Sequence, residues 1–199
     1  MKRRNLAIVS ILSTATLISL ACSTATPTST PGVSRLGAAV LQYKGPEIEA
    51  LLSSRFANTN LGAPWLLLDL LVTGTNRVAT EIKRAQVSLL IPDGTIVFLP
   101  SQQEFSKAYR DLRAEDTRAD IAADPLAYYA ERRIDRLNFL VVPGSGLSFD
   151  SIWVNDLRMA VGRLYFPMPV AVQAGHYELR IDLPESNVRI PFSLGRPAR

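Results

Sequence analysis

Few side chains in this sequence have the types and spacing that chemistry needs. The single histidine, His176, stands beside Glu178 on the polar face of an alternating segment and has no second histidine to work with. It reads as a surface residue rather than a general base. Asp111, Glu115, Asp116 and Asp120 are spaced so that a helix would bring them near one another. Paired carboxylates of that kind serve acid–base chemistry or bind Ca²⁺. Arg110, Arg113 and Arg118 are interleaved with them, which predicts a solvated, ion-paired helix face instead. Arg132, Arg133 and Arg136 are of a type that could grip a phosphate or lipid head group, but Glu131 and Asp135 lie among them and argue against that use. Gly144-Ser145-Gly146 is too short for a phosphate loop, and Ser145 lacks the Gly-x-Ser-x-Gly context of a nucleophile. Tyr128 and Tyr129 are adjacent, so on a helix they diverge by about 100° and only one can be buried. Tyr128, Arg132, Arg133 and Arg136 are therefore the candidate partner surface. No catalytic set, metal site or cofactor is expected. One cysteine excludes an internal disulfide, and one histidine excludes a His-pair zinc motif.

That one cysteine, Cys22, ends a distinctive leader. Lys2, Arg3 and Arg4 precede a 15-residue stretch, Leu6 to Leu20, that is largely apolar, and Ala21 places a small residue before the cysteine. A positive start, an apolar run and a small-residue cleavage site make a secretory signal. The run is shorter than the roughly 20 residues a spanning helix needs. Residues 1–21 resemble a bacterial lipoprotein signal, with Ser19 and Leu20 in the reverse of the usual order. The resemblance implies that Cys22 is lipidated and becomes the first residue. Two or more acyl chains hold a protein firmly, where one does not. The membrane is then a partner through Cys22. Ser23 rather than Asp follows it, which implies the outer membrane if the source is Gram-negative. Residues 22–34 carry the cysteine and a Ser/Thr/Pro tether with almost no apolar bulk.

Cleavage before Cys22 removes 21 of the 199 residues and leaves 178, enough for one domain with a substantial core. It also changes the charge. The whole chain sums to +4, but three of its 22 basic residues leave with the signal, so 19 face 18 acids in what remains. The basic balance is a property of the leader, and nucleic acid is not an expected partner.

Hydrophobic periodicity over 35–199 predicts mostly strands. Leu36 to Tyr43 opens the series, and Glu47 to Phe56, which fits either period, is read as extended. Trp65 to Val72 carries Leu66, Leu68, Leu70 and Val72 on one face and Trp65, Leu67, Asp69 and Leu71 on the other. A strand that apolar on both faces is central or covered. Strands follow at Ala85 to Ile91 and Thr95 to Leu99 around the turn Pro92-Asp93-Gly94. Further strands are expected at Asn138 to Val142, Leu147 to Val154, Leu157 to Phe166, Tyr177 to Leu183 and Val188 to Leu194. Pro191 cannot donate to a ladder and assigns the last of these to a sheet edge. Residues 101–136 interrupt the series with a predicted pair of helices. Ser101-x-x-Glu104 caps the first. Asp124-Pro125 starts the second, whose inward face is Leu126, Tyr129, Ala130, Ile134 and Leu137. The expected fold is an antiparallel β-sandwich with an inserted helix pair.

Leu61-Gly62, the Trp65 strand, Asn76, Val87 to Ile91, Asp93-Gly94, Gly162 to Pro167 and Tyr177-Glu178-Leu179 resemble telokin-like, immunoglobulin-like domains of bacterial envelope lipoproteins. The resemblance covers Val33 to Leu194. It implies an immunoglobulin-like topology and no defined catalytic residues, with 101–136 as a departure. The implied role is that of a lipid-anchored, non-catalytic envelope protein that docks an envelope protein partner. A carrier of a lipid or small solute is the alternative, and a carboxylate hydrolase stands behind both.

Overall fold

A computed structural model describes residues 32–129 and 133–195. Cys22, the leader, nearly all of the tether and Arg132 lie outside the described residues. The described chain is mainly β, with twelve strands and two α-helices.

The organising strand is β4, Trp65–Gly74. Leu66, Leu68, Leu70 and Val72 are at most 1% exposed. They belong to one apolar cluster with Val87, Leu89, Leu179, Ile181, Val188 and Ile190 of a second sheet. Full burial of a side chain of this size stabilises by about 1.5–3 kcal/mol, so this shared face is the main source of cohesion. In the first sheet β4 is flanked by β3 (Ile48–Ser53) and β10 (Arg158–Pro167). Beyond β3 lie β2 (Val40–Lys44) and β1 (Val33–Arg35), and beyond β10 lies β8 (Arg133–Arg136), giving the order β1-β2-β3-β4-β10-β8. All neighbours are antiparallel except β8, which runs parallel to β10 with Met159 opposite Ile134.

The second sheet has the order β12-β11-β6-β7, from Asn187–Leu194, Gly175–Asp182, Val87–Leu90 and Ile96–Phe98. The strand bearing Pro191 is outermost, as its missing N–H requires. A ribbon of β5 (Thr80–Lys83) and β9 (Ser151–Val154) stands apart from both sheets.

The outer face of the first sheet is covered in turn. Helix α2, Gln102–Ala122, starts at the expected capping box: the Ser101 hydroxyl accepts from Glu104 N–H at 3.2 Å, and the Glu104 carboxylate accepts from Ser101 N–H at 2.8 Å. Phe105, Leu112, Asp116 and Ala119 are its buried face. Leu126 covers a second patch of the sheet, made by Val40, Leu51, Leu71 and Met159. Both faces of β4 are thus covered, as its composition demands.

Three expectations are corrected. Among the described residues no second long helix follows Asp124. Leu126–Tyr129 forms a single 3-10 turn, and the chain enters strand β8 at Arg133. The Asp124 carboxylate is occupied by Ser53 and Arg55 rather than by capping a helix, and Ile134 is exposed rather than inward. The short helix α1, Arg55–Thr59, ends the stretch read as extended. Asn138 to Val142 pairs with no strand. Gln102 instead satisfies Val141, donating to its carbonyl at 2.6 Å and accepting its N–H at 2.9 Å.

Candidate functional site

Asp69 is a lone acid in the apolar run of β4, and its register partner on β10 is Arg163. Both project from the sheet face that α2 covers. Arg163 Nε donates to Asp69 Oδ1 at 2.9 Å, and Arg163 Nη1 donates to Asp116 Oδ1 at 2.9 Å and Asp120 Oδ1 at 2.8 Å. Tyr165 and Tyr109 complete the junction, donating their hydroxyls to Asp116 Oδ1 and Oδ2, each at 2.8 Å. Phe105 lies between their rings, with centroids 4.8 Å from Tyr165 and 5.4 Å from Tyr109.

The electrostatics follow from burial and opposed charges. Burial raises the Asp69 pKa above the ordinary carboxylate value; Arg163 opposes this, and Asp120 and Asp124 add to it. For Arg163, burial works against the charge but the surrounding groups, Asp69 first, outweigh it and hold the guanidinium protonated. Tyr109 is pushed up to about 12, by burial first and then by its bond to Asp116. Tyr165 is raised further for the same reasons.

Beside the junction opens a cavity of about 450 Å³. Asp69, Leu126, Val161 and Arg163 make its floor, and Asp120, Asp124 and Arg136 its rim. Asp124 is held by the Ser53 hydroxyl at 2.5 Å and by Arg55 at 2.9 Å. Arg136 has no ion-pair partner among the described residues, and it faces a cavity with three carboxylates. The floor depends on Gly162, where a Cβ would lie 2.9 Å from Leu137 Cβ and 3.0 Å from Leu137 O.

The sequence-derived candidates separate into groups. Asp111 lies on the solvated face beside Arg110, and Glu115 is half-buried, 3.7 Å from Arg118. Asp116 is 5% exposed and sits at the centre of the junction, which corrects its assignment to a solvated face. His176 lies on an exposed strand position with Ser193 Oγ 2.9 Å from Nδ1. Tyr128 is 87% exposed and meets Tyr129 edge-on at 6.3 Å. Arg133 lies at the start of β8 and Arg136 at its end, on the cavity rim. The sequence reading passed over Asp69, Arg163, Tyr165 and Tyr109 as site residues. The usable signal was Asp69 itself, because an acid inside a buried strand requires a cationic partner.

No protein-family model matches the chain, and no curated protein or solved structure matches it either. Among the described residues, no group of His, Cys, Asp and Glu gathers so as to hold a metal ion, and no helix is long and apolar enough to cross a membrane.

Proposed function

We propose that the protein is a lipid-anchored, non-catalytic domain of the bacterial cell envelope that docks an acidic segment of another envelope protein. Cys22 is its anchor, and the two sheets form an immunoglobulin-like sandwich of the telokin-like kind. The observation that carries this reading is the composition of one sheet edge. β8 is the outermost strand of its sheet, and along it lie Arg133, exposed Ile134, Asp135, which pairs with Arg133 at 3.7 Å, and Arg136, which has no ion-pair partner among the described residues. Tyr128 and Tyr129 stand close by: Tyr129 shares a small cavity with Met159, the register partner of Ile134. Tyrosine and arginine carry much of the binding energy at protein interfaces, and an outermost strand offers backbone groups to an extended partner segment.

The junction supports the non-catalytic part. Asp69 is the carboxylate with a raised pKa, yet Arg163 grips it, and Asp116 is committed to Arg163 and two tyrosines. These groups fasten a helix to a sheet.

The test is in-cell cross-linking of the tagged protein, with mass spectrometry of what is captured. Arg133→Glu with Arg136→Glu is expected to lower capture of the dominant partner at least about tenfold while the domain stays folded. Undiminished capture removes this edge from the proposal.

The cavity of about 450 Å³ favours a second reading, a small-solute carrier, since its size falls within the usual range for ligand pockets. A small molecule co-purifying with the delipidated protein, and lost with Arg136→Ala, would establish that reading instead.

A further inference from the structure

We propose that the end of the domain from which the chain leaves toward Cys22 also inserts into the bilayer surface, through Val78 and Leu157. This rests on the anchor reading above and adds a second, non-covalent contact to it.

The argument begins with direction. Lys44 N–H donates to Gly32 O at 2.7 Å, so the described chain begins at the end of the first sheet where β2 finishes. The register places the start of β3, the end of β4 and the start of β10 at that same end. The second sheet turns there too, because the Ser186 hydroxyl donates to Glu47 Oε2. Beyond β4 the loop 75–79 stacks against the turn 155–158. Asp156 N–H donates to Asn76 O at 2.9 Å, and Arg77 lies 3.4 Å from Asp156. Gly74 allows this approach, since a Cβ there would lie 2.6 Å from Asn155 Cα. The tip built by this loop and turn carries Val78, 81% exposed, and Leu157, 54% exposed. Trp153, also largely exposed, stands further along the same ribbon, where an indole suits the head-group level.

The covalent connection then selects what covers this tip. Ten peptide units separate Cys22 from Gly32. Even fully extended they span only about 35 Å. A tip at the tethered end is therefore held near the bilayer at high effective concentration, and a weak contact suffices to populate the docked state. The opposite end of the domain, where 169–174 lead into β11, has no such advantage despite its exposed Val170. Around the tip Lys44, Arg77, Lys83 and Arg158 are balanced by Glu47, Glu81, Asp156 and Glu185, with Arg77 paired to Asp156 and Lys83 to Glu81. The contact is thus apolar. It does not require anionic lipid and persists at about 0.5 M salt, where exposed charges are screened.

The experiment uses phosphatidylcholine vesicles containing a lipid with a photoreactive diazirine in its acyl chain. Two forms of the full mature chain are compared: the protein as purified from membranes, and unacylated protein coupled through Cys22 to a maleimide lipid. After illumination, adducts in residues 74–80 and 155–158 are expected to exceed those in 169–174 at least about tenfold, as shallow insertion of one end requires. Val78→Asp with Leu157→Asp should abolish the excess while the protein still floats with the vesicles. Equal labelling of the two ends, or none, on the maleimide-anchored chain overturns the proposal. So does dimerisation of the vesicle-bound chain, read with an added bifunctional amine cross-linker and lost with Val78→Asp and Leu157→Asp, the other way to cover these residues. Failure of the anchor reading is seen separately, as an unacylated Cys22 in the intact mass of the membrane-purified protein, and leaves the coupled arm able to decide.

Discussion

Asp116 accepts from Tyr109 on one carboxylate oxygen and from Tyr165 and Arg163 on the other. Burial is the first cause of the raised pKa of both tyrosines, and the bonds to Asp116, which exist only while the phenols keep their protons, add to it. The sign of the consequence follows by linkage. Tyr109 moves from 10.0 in the unfolded chain to about 12 in the folded one. Between those values the folded state binds more protons than the unfolded state. The stabilisation is fully present below pH 10 and is lost as the pH rises through about 12. Urea unfolding across this range should show stability falling with pH, and less steeply in Tyr109→Phe. Some fall should persist in that variant because Tyr165 is raised as well. An identical slope in the two proteins would show that Tyr109 does not hold its proton this way.

At the scale of elements, α2 is held on the sheet by two kinds of contact. Phe105, Leu112 and Ala119 give the apolar part, and Arg163 gives the polar part by spanning β10, β4 and the helix at once. Arg163→Ala leaves Asp69 and Asp116 buried without their cation. Removing one partner from a buried ion pair costs about 3–5 kcal/mol. The expected result is a lower urea midpoint with accelerated hydrogen exchange concentrated in 102–122; a loss below about 1 kcal/mol would place the pair among the weak surface bridges. Most of this element map was legible in the sequence. An apolar run located β4, an extended segment located β10, period-two alternation located β11 and β12, Pro191 marked an edge, and Ser101-x-x-Glu104 started α2. The failures share a cause. Asp124-Pro125 has the local chemistry of a helix start, but Asp124 finds Ser53 and Arg55, residues 71 and 69 positions away. Asp116 looked solvated because its helix neighbours are charged; only the fold brings Arg163 beneath it. Local pattern fixes local structure, whereas pairings across tens of residues depend on topology that spacing does not encode.

For the whole molecule, the proposed envelope location turns on which contact would hold the domain at a membrane. Val78 and Leu157 each contribute at most about 1.5–3 kcal/mol if fully buried. An acyl chain contributes about 0.8 kcal/mol per buried CH₂, so two chains exceed the tip several-fold. The anchor should therefore decide location, and the tip should decide orientation once the anchor is in place. The order has a structural consequence, because β8 begins at the tethered end and the proposed docking edge would lie close to the lipid surface. It also has a test. Cys22→Ala should move the protein from the membrane to the soluble fraction or leave it unprocessed, with the tip intact in either case. Val78→Asp with Leu157→Asp should leave it in the membrane fraction. Fractionation of cells expressing each variant, with the N-terminus read by mass spectrometry, separates the two contributions. A processed Cys22→Ala protein that still sediments with membranes would sink the lipid anchor, since the tip alone is too small to hold the domain there.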